Sequence, residues 1–227
     1  MERTEQLRMR EVHLQLPLTE DAVRTLELGD AVFLSGQLFT GREGFYQQVF
    51  EKGLEPPLDI RHTCNVTFHC SPAVNEPSPG TYYIPSVTAT ASFRFAKYVP
   101  QLLERYGVRA VIGKGGMQEE VYQTAFRRHG AIYLTTVGYG LGAIYGQGIR
   151  RVHDVIWKDE LGLAQAVWVL EVENFGPFLV ECDVQGRSLF GLANAEVNET
   201  FEKLYEGLPQ PALKRLGEVI VPTEEVL

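Results

Sequence analysis

The stretch VRAVIGKGG, residues 108–116, decides how the rest of the chain reads. An apolar run from Val108 to Ile112 is followed at once by Gly113, Lys114, Gly115 and Gly116. A helical pattern begins a few residues later. These features predict a buried strand that stops in a tight turn, with a lysine raised out of the turn and a helix N-terminus behind it. Glycine lets a backbone turn sharply and come close to a ligand. Free N–H groups at a helix start, with one ammonium beside them, attract an anion. A plain βα turn with a surface lysine accounts for the same residues. The remainder of the chain has to separate the two readings.

Working outward, the 227 residues are 44% hydrophobic and 22% charged, enough for a substantial core. The net charge of −8 argues against a nucleic-acid or anionic-membrane surface, which needs a basic face. Three cysteines, Cys64, Cys70 and Cys182, are too few and too uneven for a disulfide framework. Cys64 and Cys70, with His62 and His69, make a metal-like cluster RHTCNVTFHC. No second ligand pair follows, and Val66 and Phe68 alternate as in a strand. Reduced thiols and a cytoplasmic setting are the expectation. The first ten residues, MERTEQLRMR, carry no apolar signal core, and no apolar run approaches the ~18–20 residues of a membrane span.

Alternation at Val12, Leu14 and Leu16 predicts a strand, and Thr19 caps a short helix over 20–26. Residues 31–40 read as extended, Gly41-Arg42-Glu43-Gly44 as a break, and 45–52 as helical. A strand is expected at 66–68 and a proline-rich loop, SPAVNEPSPG, at 71–80. A short strand at 81–84 leads through PSVTATASFRF into a helix over 92–106. Beyond the lysine turn come a helix over 119–129 closed by Gly130, a strand over 131–137 and the glycine-dense GYGLGAIYGQG at 138–148. A strand at 152–157 follows. Strands at 166–172 and 178–184 read as a hairpin turning at 174–177, and a helix at 196–205 precedes a loose end. The sum is a mixed α/β chain.

GYGLGA formally fits the dinucleotide pattern G-x-G-x-x-G/A, but Gly146 and Gly148 interrupt the long helix that fold requires. A glycine-rich packing turn lining a site explains the run better. The lysine turn is no P-loop, since Gly115 stands where Ser or Thr is needed. There is no G-x-S-x-G elbow, and the five histidines form no H-E-x-x-H pattern. What remains is a scatter of cations at element edges: Arg42 in TGRE, Arg94 four residues after Thr90, and Lys114 twenty residues beyond Arg94. Two guanidiniums and an ammonium suit a small dicarboxylate, provided that they converge.

At these residues the chain resembles the C-terminal domain of class I (iron–sulfur) fumarases and the β subunit of two-subunit fumarases and L-tartrate dehydratases. The matching stretches are LSGQLFTGRE, CSPA, TATASFRF, IGKGG, HGAIYL, GYGLGAIYGQGI and DELGLAQAVWVLEVENFGPFLVECDVQGRSLF. They keep their order and spacing over about residues 10–190. The resemblance implies a swivelling β/β/α domain over 1–190; it does not reach the tail at 191–227, for which a helix and partner contact are the expectation. It implies a hydro-lyase that adds or removes water on a four-carbon dicarboxylate. The catalytic 4Fe–4S cluster belongs to a partner α subunit in a hetero-oligomer, and this chain binds none alone. Carried over by motif, Arg42, Arg94 and Lys114 contact substrate carboxylates and Thr90 is the candidate general base. The family's G-P-T-T is here Thr88-Ala89-Thr90-Ala91, its aromatic-Ala-Gly-Pro is His69-Cys70-Ser71-Pro72, and its G-R-D ends in Glu43. Two other readings stay open: a dicarboxylate-binding homologue without catalysis, and a nucleotide-binding domain using GYGLGA and IGKGG.

Overall fold

The computed structural model describes residues 9–138 and 140–206. The chain divides into two compact units, Met1–Gly191 and Leu192–Leu227. In chain order the elements are β1 (Glu11–Gln15), α1 (Glu20–Arg24), β2 (Ala31–Thr40), α2 (Glu43–Tyr46) with a π turn over Gln47–Glu51, and α3 (Ile60–Thr63). Then come β3 (Val66–Phe68), β4 (Cys70–Ser78), β5 (Thr81–Ala89), a 3-10 turn over Ser92–Phe95, α4 (Val99–Tyr106) and β6 (Ala110–Gly113). The rest are α5 (Glu119–Val121), a π turn over Tyr122–Phe126, α6 (Arg127–His129), β7 (Ile132–Thr136), α7 (Gly142–Gly148), β8 (Ile149–Ile156), α8 (Lys158–Leu161), β9 (Val167–Cys182) and α9 (Leu189–Tyr205). The fold is mixed α/β.

The apolar run that opened the sequence becomes β6, parallel to β3 on one side and β7 on the other. β2 joins β3, β7 joins β9, and β9 returns antiparallel to β2. The strands β2, β3, β6, β7 and β9 thus close into a ring, with β1 and β8 as side strands. Closure removes most free edges. Alternate side chains divide between two cores, as the period of two in a strand requires. Val32, Leu34, Leu38, Phe68, Ile112, Leu134 and Phe178 fill the inside. Phe39, Val111, Tyr133 and Val169 face outward, where Phe45, Tyr46, Val99, Leu102, Tyr122 and Phe126 cover them.

Several local readings are borne out. Thr19 caps α1 by accepting from Ala22 N–H at 3.2 Å. Gly130 closes α6 with φ +58. Other expectations need correction. The proline-rich stretch 71–80 is not a loop: Cys70–Ser78 is β4, paired antiparallel with β5. A two-stranded ribbon leaves one edge of each strand free, so Pro72 and Pro77 need not donate to a ladder. Nor is 166–184 a hairpin. β9 runs unbroken along β2, from Phe39↔Val169 to Ala31↔Leu179. Val172 to Phe175 is three steps against two from Gly36 to Leu34, and Phe175 to Phe178 is three against two from Leu34 to Val32. The turn-like NFGP is therefore absorbed as two bulges. The helix expected over 92–106 splits, because Pro100 lacks an N–H and fits only the first turn, so α4 starts at Val99. The last helix starts at Leu189 rather than 196. The loose end expected after 205 lies, from residue 207 on, outside the described residues, as do residues 1–8.

The glycines at 142, 146 and 148 do not break α7; Gly142 and Gly146 let it lie against β5, and Gly148 lets it approach Phe175 of β9. A Cβ on Gly142 would sit 2.6 Å from Val87 O, and one on Gly146 would overlap the Pro85 carbonyl and sit 2.8 Å from Ser86 N. Backbone meets backbone there, so no side chain can swing aside. Gly146→Ala is expected to destabilise the protein by about 1–3 kcal/mol through overpacking. A lowered urea midpoint at unchanged slope would show it. No helix among the described residues is long and apolar enough to cross a membrane.

Candidate active site

The carboxyl ends of β6 and β7, the β5 ribbon and the start of α7 enclose a cleft of about 650 Å³. Lys114 and Gly115 form one wall, and Thr135 and Thr136 at the end of β7 form another. Ser86, Thr88, Ala89 and Ala91 come from the ribbon, and Gly138, Gly140 and Gly142 from the glycine-rich turn. Ligands of α/β sheets commonly bind beyond the carboxyl ends of the strands. Lys114 is the only ionised side chain lining the cleft among the described residues, and its ammonium has no hydrogen bond or ion pair there. The turn that carries it needs positive φ at Gly115 (+75) and Gly116 (+70), which glycine adopts without strain.

The other residues expected at the site do not line this cleft. Thr90 is half-buried between two lining residues, Ala89 and Ala91, and its N–H donates to His69 O at 2.6 Å. Arg94 sits in the 3-10 turn, half-exposed, 3.4 Å from Glu43. Such an exposed pair contributes only about 0–1 kcal/mol, so a ligand carboxylate competes easily for the guanidinium. Arg42 caps the N-terminus of α2 and donates through Nη1 to Ala164 O at 2.8 Å, while its buried Nε has no partner. Glu43, the residue after Arg42, thus links the strand end of Arg42 to Arg94. Of the three expected cations, Lys114 alone lines the cleft.

Sequence reasoning missed a buried chain of hydrogen bonds below these loops. Tyr46 Oη lies 2.6 Å from His69 Nε2, and His69 Nδ1 lies 2.8 Å from Ser92 Oγ. Tyr133 Oη donates to Ser92 Oγ at 2.8 Å. All four residues are fully buried. Burial pushes the His69 pKa down to about 3, so the ring is neutral and either tautomer uses both nitrogens. The sequence signal is a histidine just after an apolar strand, which stands in the metal-like cluster RHTCNVTFHC and at the head of His69-Cys70-Ser71-Pro72.

A second buried group lies behind the lysine turn. Glu181 on β9 accepts from Ser188 Oγ at 2.5 Å, while its Oε2 has no hydrogen-bond partner. Burial raises its pKa above the usual carboxylate range, against the opposing bond from Ser188. A raised carboxyl pKa stabilises the fold below the unfolded value, and that contribution is lost as pH rises through the folded value. Glu181→Gln is therefore expected to gain stability over the wild type progressively from mildly acidic to alkaline pH. By pH 8 the gap should exceed the about 0.5 kcal/mol scatter of neutral substitutions. Urea melts across that range measure it, and parallel curves would reject it.

Burial also pushes the thiols of Cys64, Cys70 and Cys182 up, away from thiolate. No three His, Cys, Asp or Glu side chains come together at metal-ligand spacing among the described residues. These residues do not fit an iron–sulfur cluster within this chain.

The fold thus presents a cleft beyond the carboxyl ends of its strands with one free ammonium and threonine hydroxyls, groups whose chemistry suits a small anion. The chain belongs to the family described as fumarase C-terminus, whose model matches residues 1–193. It is 33% identical over 190 residues to the putative L(+)-tartrate dehydratase subunit beta of Methanocaldococcus jannaschii, covering 82% of this chain and 95% of that one. It is 32% identical over 180 residues to a putative fumarate hydratase class I of Geobacillus stearothermophilus, covering 79% of this chain but only 34% of that longer protein. The L(+)-tartrate dehydratase subunit beta of Escherichia coli K12 is 27% identical over 176 residues, 78% of this chain and 85% of that one.

Proposed function

We propose that this chain is the β subunit of a hydro-lyase that adds or removes water on a four-carbon dicarboxylate. The observation that carries this reading is the unpaired Lys114 ammonium in a cleft otherwise lined by hydroxyls, glycines and apolar groups. Lys114 holds one substrate carboxylate. Arg94 and Arg42 are assigned to the other by the family motif, Arg94 by leaving Glu43 and Arg42 by exchanging its Nη1 bond to Ala164 O for the carboxylate. Thr90 is assigned to proton transfer. A hydroxyl serves as a base only when a neighbouring group takes the proton on, so a second group from the partner is required. The family relatives named as beta subunits support an α partner. On this reading the 4Fe–4S cluster resides on that partner, where it supplies a Lewis acid. The domain is of the swivelling β/β/α type, the 191–227 tail contacts the partner, and the complex works in the cytoplasm.

The test is co-expression under anaerobic conditions with a three-cysteine α-type chain, followed by assays of fumarate hydration and L-tartrate dehydration. Turnover of either substrate is expected. Dicarboxylate binding without turnover would leave a non-catalytic binding homologue. Binding of NAD or ATP with no response to dicarboxylates would overturn the proposal in favour of a nucleotide site.

A further inference from the structure

We infer that His69, acting through Ser92, is the positioning residue that sets the four substrate-facing loops against one another. The inference rests on the proposed dicarboxylate site and extends it to a residue that contacts no substrate. His69 reaches each loop by a separate bond. Its N–H donates to Ile112 O at 2.8 Å, at the end of the strand that delivers Lys114. Its carbonyl accepts from Thr90 N–H at 2.6 Å. Its Nδ1 pairs with Ser92 Oγ, the first residue of the turn that carries Arg94. Ser92 N–H in turn donates to Lys114 O at 3.1 Å, beside a bridge between Ala91 and Lys114. Its Nε2 pairs with Tyr46, whose own N–H donates to Arg42 O at 3.2 Å.

The imidazole itself bonds Tyr46 and Ser92, which ties it to the loops of Arg42 and Arg94, and Ser92 N–H extends that tie to Lys114 O; Thr90 and Ile112 are bonded by the His69 backbone, which any residue at this position keeps. A phenyl ring could fill the volume of the imidazole without bonding Ser92. The neutral ring takes no part in proton transfer with the substrate, because it is fully buried and absent from the cleft lining. Misplacing bound groups by about 1 Å can weaken a site by about 100-fold, so a fixed spacer between loops has a measurable value.

The experiment uses the full chain with its α partner and compares His69→Phe, His69→Gln and Ser92→Ala with the wild type. A role limited to folding would lower the active fraction and leave KM unchanged. We expect KM for the dicarboxylate to rise by about tenfold or more in His69→Phe and Ser92→Ala, and to recover largely in His69→Gln, whose amide can donate and accept. Unchanged KM in His69→Phe, or no recovery in His69→Gln, would overturn the inference. If the wild-type complex turns over no dicarboxylate, the functional proposal has failed, and amide hydrogen exchange decides the positioning role alone. Faster exchange of residues 88–94 and 113–117 in His69→Phe and Ser92→Ala, with β7 unchanged, supports it. Equal exchange overturns it. Should His69→Phe fail to fold, Ser92→Ala carries both readouts.

Discussion

Lys114→Ala is expected to reduce kcat/KM for the dicarboxylate by about 10- to 150-fold while leaving the unfolding midpoint unchanged. The first half follows from the cleft. Lys114 is its only ionised lining group among the described residues, and no acidic side chain competes for the ammonium. A hydrogen bond to a charged group contributes about 1.5–3 kcal/mol, and each 1.4 kcal/mol is about tenfold in affinity. The second half follows from the absence of partners: an unpaired, half-buried lysine on a turn holds nothing else in place. Substitutions of that kind usually stay within about 0.5 kcal/mol. Lys114→Arg should recover only part of the loss, because a forked guanidinium does not occupy the position of a compact ammonium. Steady-state kinetics of the complex with denaturant melts of the same samples provides the check. Full activity in Lys114→Ala would remove the cleft from the site.

The lysine could be read from sequence because the signals were local: an apolar run, an abrupt glycine turn and a helix behind it. The same holds for β1, β2, β7 and the Thr19 cap, where period and capping chemistry agree. The errors fell where a distant partner overrode local signals. Prolines and small polar residues at 71–80 read as loop until β5 supplies a ribbon. Asn174 and Gly176 read as a turn until β2 continues on the far side and takes up the extra residues as bulges. Gly146 read as a helix breaker until the Pro85 carbonyl lies against it. Convergence of charges is a property of three dimensions, so the sequence could nominate Arg42, Arg94 and Lys114 but not rank them. The structure separates them: Lys114 lines the cleft and the two arginines do not. The bonding of His69 was hidden for the same reason, since its partners lie 23 residues away on either side and the local cysteines suggested a metal cluster instead.

Gly113→Ala is expected to be the most damaging single methyl in the lysine turn, more so than Gly115→Ala two residues on. The glycines of IGKGG read alike in the sequence, as permission for the backbone to approach a ligand, yet they do different work. Gly115 has positive φ and nothing within 4 Å of a Cβ, so alanine there meets only backbone strain, about 1 kcal/mol. Gly113 has ordinary φ but no room. A Cβ would overlap Ser92 Oγ and lie 2.8 Å from Tyr133 Oη. Ser92 can escape only by rotating away from both His69 and Tyr133, which strands buried polar atoms. Overpacking and one stranded polar group together amount to about 2–4 kcal/mol. The loss should also appear as a raised KM, because Ser92 N–H and Lys114 O are bonded through the same turn. The decisive comparison is a double-mutant cycle. With Ser92→Ala in the background the nearer obstructing oxygen is gone, leaving Tyr133 Oη at 2.8 Å, now freed from Ser92, and the residue-92 Cβ at 3.2 Å. The added destabilisation from Gly113→Ala should then fall well below its value in the wild type. Strict additivity would mean that the glycine is required by something other than the serine, and the hydroxyl beneath the lysine turn would lose its place in the site.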